Sequence, residues 1–147
     1  MILNREVVPA PYTLLREFDG ASAPEPGTAI PLAAWLALAS RGEALTGVGV
    51  VLEGSDAIEP LRAHLGELAF AALHVPTFRD GRTYSHARRL RTFWNYAGPI
   101  VMFGDVQRDQ LLYMSRCGAN GFYMREGSDL RASLAAFSLY THFYQYN

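Results

Sequence analysis

From Gly47 onward the chain alternates short apolar runs with stretches of helical spacing, and this alternation constrains its fold more than any other feature. Val48–Leu52 is followed by Ile58, Leu61, Leu65 and Leu68. Phe70–Val75 leads to Ala87, Leu90 and Trp94, and Ile100–Phe103 to Leu111, Met114 and Cys117. Phe122–Met124 leads to Leu130, Leu134, Phe137 and Thr141. A short apolar run bounded by turn residues, then apolar residues three and four apart, is the pattern of a buried strand followed by an amphipathic helix. Four such units in succession predict an α/β domain, with a mostly parallel sheet flanked by helices. Ser55 or Asp56, Ser85, Asp105 and Ser128 mark helix starts, and Gly118 marks a helix stop. The strands could curve as half a barrel or lie in an open, flavodoxin-like sheet; the open sheet is the expectation.

Residues 1–46 differ in texture and join the βα core, 47–147, in a single domain. Segments 2–8 and 12–18 alternate like strands around Pro9 and Pro11, as a hairpin or two edge strands. Ala21–Pro31 is too rich in Pro, Ala and Gly for a regular element and reads as a loop. Pro31–Ser40 has the composition of a short helix, with Pro at its first position. The start, MILNREVV, lacks the apolar stretch of a signal peptide, and the longest apolar run, near Leu32–Ala39, is too short to span a bilayer. The expected location is the cytoplasm.

Topology confers chemistry on the loops. In parallel α/β folds the loops after the strands' C-terminal ends form the ligand-facing edge. Here those loops carry Glu53; Arg79, Asp80, Arg82 and Tyr84; Asp105, Arg108 and Asp109; and Arg125 with Glu126. All 13 basic residues are Arg. That excludes a lysine Schiff base and a P-loop lysine, and it suits forked recognition of anions. Net charge is −1, so no global field favours nucleic acid. One cysteine and scattered histidines (His64, His74, His86, His142) leave no metal-ligand spacing, and no metal site is expected. GVGVVLEG has Leu52 where a dinucleotide fingerprint needs its third glycine, and its glycines precede or lie within the strand.

The candidate site residues follow. Arg82 sits in a turn just before a helix start, where backbone N–H groups and a guanidinium can hold one anion; Asp80, Tyr84, Arg88, Arg108 and Arg116 complete the anion- or partner-binding set. Arg88 also suits a solvated helix face. Asp105 reads first as a helix cap worth about 1 kcal/mol, and Asp105 and Asp109 are also the candidates for a general base. His74, within an apolar strand, reads as a core histidine, and Cys117 as a buried thiol at a helix C-terminus. The aromatic tail Phe137, Tyr140, Phe143, Tyr144 and Tyr146 suggests a homodimer patch.

The sequence resembles a bacterial family catalogued as domain of unknown function 934. The resemblance lies in Phe78, Asp80-Gly81-Arg82, Tyr84-Ser85, Ala87-Arg88 and Leu90-Arg91, then Gly104-Asp105-Val106, Arg108-Asp109-Gln110-Leu111 and Arg116-Cys117-Gly118, closing with Tyr144-Gln145. Thr83 stands where the family has a glycine, and Asn120 where it has an aspartate. The resemblance implies a place beside sulfite reductase and phosphoadenylylsulfate reductase, in assimilatory sulfate and sulfite reduction, and carries an oxidoreductase label. No flavin, nicotinamide, haem or cluster motif accompanies that label, so no cofactor is expected. The primary expectation is a non-catalytic accessory protein that docks on sulfite reductase or another sulfate-assimilation protein, or binds a small anion. The alternative is a small enzyme acting on an anionic substrate, with redox chemistry supplied by a partner.

Overall fold

The computed structural model describes residues 1–20, 22–77, 81–124, 128–135 and 137. Its centre is one sheet of 8 strands in the order β2-β1-β8-β7-β6-β5-β4-β3. The strands are β1 (Ile2–Leu3), β2 (Glu6–Val7), β3 (Thr13–Leu14), β4 (Thr28–Pro31), β5 (Gly49–Leu52), β6 (Ala71–Val75), β7 (Ile100–Gly104) and β8 (Gly121–Phe122). From β3 to β8 every neighbouring pair is parallel. β1 returns antiparallel to β8, and β2 closes a tight hairpin on β1. The chain is therefore an α/β protein built on a mostly parallel sheet.

Several expectations change. Thr28–Pro31, read as loop, is a strand, because β3 and β5 lie on either side of it and bond its backbone. Of the two arrangements expected for segments 2–8 and 12–18, the edge strands are found and the shared hairpin is not: β2, with β1 beside it, lies at one edge and β3 at the other. The apolar spacing after β5 forms a 3₁₀ helix, Glu59–His64, with Pro60 in its first turn and Gly66 just beyond its end. Helix α1 is Leu32–Ser40, α2 is Arg82–Arg88, and α3 is Leu111–Arg116. α2 widens into a π-helical turn, Arg89–Phe93. Residues 130–135 are also helical, and the cap there is Asp129 in place of Ser128: its Oδ1 accepts the amides of Arg131 and Ala132 at 3.0 and 3.1 Å. No helix among the described residues is long and apolar enough to cross a membrane.

The consecutive order of the parallel strands decides the shape. A flavodoxin-like sheet reverses its strand order at a switch point; here β8 to β3 stand in the reverse of chain order with no switch, the arrangement in which crossovers of one hand leave their helices on one face. That face carries the main core, where Ile30, Val50, Leu52, Leu73 and Met102 meet Trp35, Leu61, Leu90, Leu111 and Met114. The other face is lined by smaller residues, Ala29, Val51 and Ala72, under Phe70, with Tyr12, Leu14 and Phe103 packed against them. Flat, such a sheet would hold β2 and β3 about 33 Å apart at the usual strand spacing. The connection between them, residues 8–12, reaches at most about 20 Å. The sheet must curl, and a pair of tyrosines marks the seam. The Tyr123 hydroxyl, just after β8, accepts the Tyr12 amide at 3.1 Å and donates to the Tyr12 carbonyl at 2.9 Å. The open sheet is thus replaced by one curled like part of a βα barrel, with Tyr12 stacked on Phe70 over its inner face.

Candidate functional site

Period-two alternation places a row of side chains on the inner face at the strands' C-terminal ends. Val51 and Ala72 line the inner face, and two residues further along their strands come Glu53 and His74. By the same count Leu14 leads to Arg16 beyond β3. Glu53 joins them: Arg16 Nε donates to its Oε1 at 2.7 Å, and its Oε2 lies 2.7 Å from His74 Nδ1. Arg16 is 56% exposed, Glu53 31% and His74 13%, so the row runs from solvent inward. Burial alone would raise the Glu53 carboxyl, but the bonds and charges of Arg16 and His74 outweigh it and hold the group below its usual value. A carboxylate beside Nδ1 favours the tautomer with the proton on that nitrogen and fixes the orientation of the ring. The Phe103 ring lies 5.1 Å from the His74 ring.

The surrounding loops brace this row. The Glu53 amide donates to Asp56 Oδ2 at 2.7 Å, so Asp56 closes the loop after β5 without capping the following helix. His86 Nε2, from α2, lies 3.1 Å from the Glu53 carbonyl. Burial keeps the His86 imidazole below its ordinary value, against the raising effect of its bonds to the Glu53 and Gly54 backbone. Gly104, at the end of β7, has φ +103°, and a Cβ there would stand 2.4 Å from the Val75 carbonyl oxygen and 3.1 Å from His74 Cδ2. Only glycine fits both the backbone and the open edge of the imidazole. The next amide, Asp105 N–H, donates to the Val75 carbonyl at 2.8 Å and hooks β7 onto β6.

The residues singled out in the sequence fall in several places. Arg82 opens α2 and is exposed, and its stem lies against Gly54 in the β5 loop, beside the Glu53 row. Tyr84 is buried, edge-on to Tyr113 with ring centroids 5.3 Å apart. Burial pushes its phenol up, with Cys117, Tyr113 and Asp105 adding to the effect. The Tyr84 and Thr83 hydroxyls are both buried without a hydrogen-bond partner among the described residues. Asp105 does not begin a helix: it accepts Gln107 Nε2 at 3.0 Å, and the next helical turn starts at Arg108. Arg108 and Asp109 are exposed and line a cavity of about 310 Å³ with Ser128 and Asp129. Arg88 lies away from the rim, its Nη2 3.4 Å from the Tyr113 hydroxyl and its guanidinium over that ring, beside buried Cys117. Arg116 ends α3 at the opposite edge of the strands. Asp80, with Arg79, Arg125 and Glu126, lies outside the described residues, as does the aromatic tail beyond Phe137. Among the described residues no group of three His, Cys, Asp or Glu side chains is placed to hold a metal ion.

Arg16 is not among the residues the sequence singles out, and His74 reads there as a core histidine. The available signal is the alternation itself, which sets Arg16, Glu53, His74 and Asp105 two residues beyond the inner-facing Leu14, Val51, Ala72 and Phe103.

Residues 49–147, two thirds of the chain, match the model of a family described as bacterial protein of unknown function (DUF934). No curated protein matches the chain. Glu53, His74, Arg82, Asp105 and Arg108 lie within the matched span, and Arg16 lies before it.

Proposed function

The chain belongs to that bacterial family, and we propose that it is an accessory protein of assimilatory sulfate and sulfite reduction, holding a small oxyanion or docking on a reductase through the C-terminal rim of its sheet. The observation that carries this reading is the division of labour at the rim. Glu53 binds Arg16 and His74 inside, while Arg82 and Arg108 stand exposed as the first residues of the helical turns that follow β6 and β7. Exposed guanidinium forks suit an oxyanion or an acidic partner surface. The pathway comes from the resemblance set out above. The test is co-purification with sulfite reductase from cell extract. Wild type should be retained and Arg82→Ala lost; wild type binding to no enzyme of the pathway would end the proposal.

A second reading, a small enzyme acting on an anionic substrate, is favoured by the Glu53–His74 pair. In it His74 Nε2 exchanges the proton, in preference to Asp105, which is bonded to Gln107, and to exposed Asp109. Any redox step would draw on a partner. A thermal-shift screen of sulfate, sulfite and adenylylsulfates should then find a ligand whose turnover, but not binding, is lost in His74→Gln. Stabilisation by none of these anions would leave only the accessory reading.

A further inference from the structure

The row of Arg16, Glu53 and His74 uses only part of its hydrogen-bonding capacity. Strand pairing fixes the backbone at its outer end: the Leu15 amide donates to the Ala29 carbonyl at 2.9 Å, so Arg16 leaves β3 in register with its neighbours. Its Nε donates to Glu53 Oε1 at 2.7 Å. Nη1 and Nη2 have no hydrogen-bond partner among the described residues, and the side chain is exposed. A guanidinium is a rigid planar fork, so anchoring Nε sets the direction of the remaining donors.

The inner end is built the same way. His74 Nδ1 lies 2.7 Å from Glu53 Oε2, and Nε2 has no partner among the described residues. Among those residues, the buried side-chain polar atoms without a partner are the Thr83 and Tyr84 hydroxyls, so Nε2 is reached by solvent although most of the ring is covered. Gly104 keeps the way open: a Cβ there would stand 3.1 Å from Cδ2, the ring carbon next to Nε2. With its proton on Nδ1, the neutral imidazole presents Nε2 as an acceptor. Glu53 thus holds two groups of opposite kind by its two oxygens, donors on Arg16 and an acceptor on His74.

We infer that this row is a binding site for an oxyanion that keeps one proton. The charged oxygens accept from Arg16 Nη1 and Nη2, and the ligand's own hydroxyl donates to His74 Nε2. Hydrogen phosphate and hydrogensulfite in its O-protonated form are of this class, and sulfate is not. A site that bonds a ligand hydroxyl rejects the analogue without it, because its own polar group is then left unpaired. Both Glu53 oxygens are engaged and the Arg16 charge offsets the carboxylate's, so the ligand meets a neutral pair and not a bare negative charge. This rests on the reading of the rim as a holder of small oxyanions, and adds which residues take the ion and which protonation state they select. Arg16 lies before residues 49–147, so the site needs the N-terminal segment as well as the family's span.

The test is isothermal calorimetry of the full chain with sodium phosphate and with sodium sulfate, at matched ionic strength and about pH 8, where an ordinary imidazole is neutral. Hydrogen phosphate and sulfate are then dianions of one shape that differ by a single proton. Wild type should bind phosphate at least about tenfold more tightly than sulfate. Arg16→Gln, at an exposed position, should weaken both anions by about tenfold and leave their ratio unchanged. His74→Asn keeps a donor for Glu53 but has nothing at the Nε2 position, and should bring phosphate down to the level of sulfate. His74→Gln sets its amide oxygen there and should restore part of the preference. Circular dichroism checks the fold of each variant; should His74→Asn not fold, the wild-type ratio and Arg16→Gln decide. Equal binding of the two anions by wild type would overturn the site while leaving the oxyanion reading in place. Full phosphate affinity in folded Arg16→Gln would overturn it too, and move the anion to another part of the rim. Binding of neither anion would overturn the site and the oxyanion reading together, leaving co-purification to test docking on a reductase.

Discussion

Replacing Tyr123 with Phe removes one oxygen and both bonds that join the start of β3 to the end of β8. The hydroxyl accepts the Tyr12 amide at 3.1 Å and donates to the Tyr12 carbonyl at 2.9 Å, both partly buried. A hydrogen bond of this kind contributes about 0.5–1.5 kcal/mol. The Tyr12 amide and carbonyl left behind are only half-buried and regain some water, so the expected loss is about 1–2 kcal/mol. In a protein of this size that lowers Tm by roughly 2–8 °C. Urea unfolding gives the energy, and amide hydrogen exchange gives the place. The amides of Thr13 and Leu15, bonded to the Gly27 and Ala29 carbonyls, should lose protection, while Ala71, bonded to the Pro99 carbonyl, should not. Tyr96→Phe is the control: it removes one buried bond, to the Leu68 carbonyl at 2.8 Å, and should destabilise without loosening β3. A Tyr123→Phe protein with full stability and unaltered exchange at Thr13 and Leu15 would refute the claim that this seam holds the curl.

Gly104→Ala places a Cβ against the Val75 carbonyl at a left-handed φ and should cost well over about 1–3 kcal/mol, seen as a collapse of Tm or of soluble yield. Arg82→Ala, at an exposed position, should change the unfolding free energy from urea titration by no more than about 0.5 kcal/mol while abolishing partner capture; a large loss of stability would instead make Arg82 a brace for the β5 loop. Acid should destabilise the protein in two stages. His86 is held below its ordinary value by burial, so the stability of its neutral form is complete above about pH 6.5 and is lost as pH falls through its lowered folded value. Glu53, also held low, contributes stability above the usual carboxylate range of about pH 4.3 that is lost at still lower pH. Urea midpoints from pH 8 to 3 should show both stages, and His86→Gln should flatten only the first.

The βα core was legible in the sequence because its signal is local. Val48–Leu52, Phe70–Val75 and Ile100–Phe103 are strands in any context that buries them, and the residues after Leu52, Val75 and Phe103 must then lie on the functional edge. The placing of Glu53, Arg82, Asp105 and Arg108 at that edge follows from the chain alone. The sequence could not show that Thr28–Pro31 is a strand, since four residues ending in Pro become one only when β3 and β5 pair on either side. It could not show the curl, which depends on how far residues 8–12 must reach once β2 and β3 sit at opposite edges. Nor could it bring Arg16 to Glu53 and His74: alternation says which residues share a face, but only the assembled sheet shows which face the helices leave open. The same assembly parts Arg116 from Arg82, because a helix that leaves the rim must run its length to return the chain to the start of the next strand. Local periodicity is a property of sequence, whereas the meeting of distant residues is a property of the packed sheet.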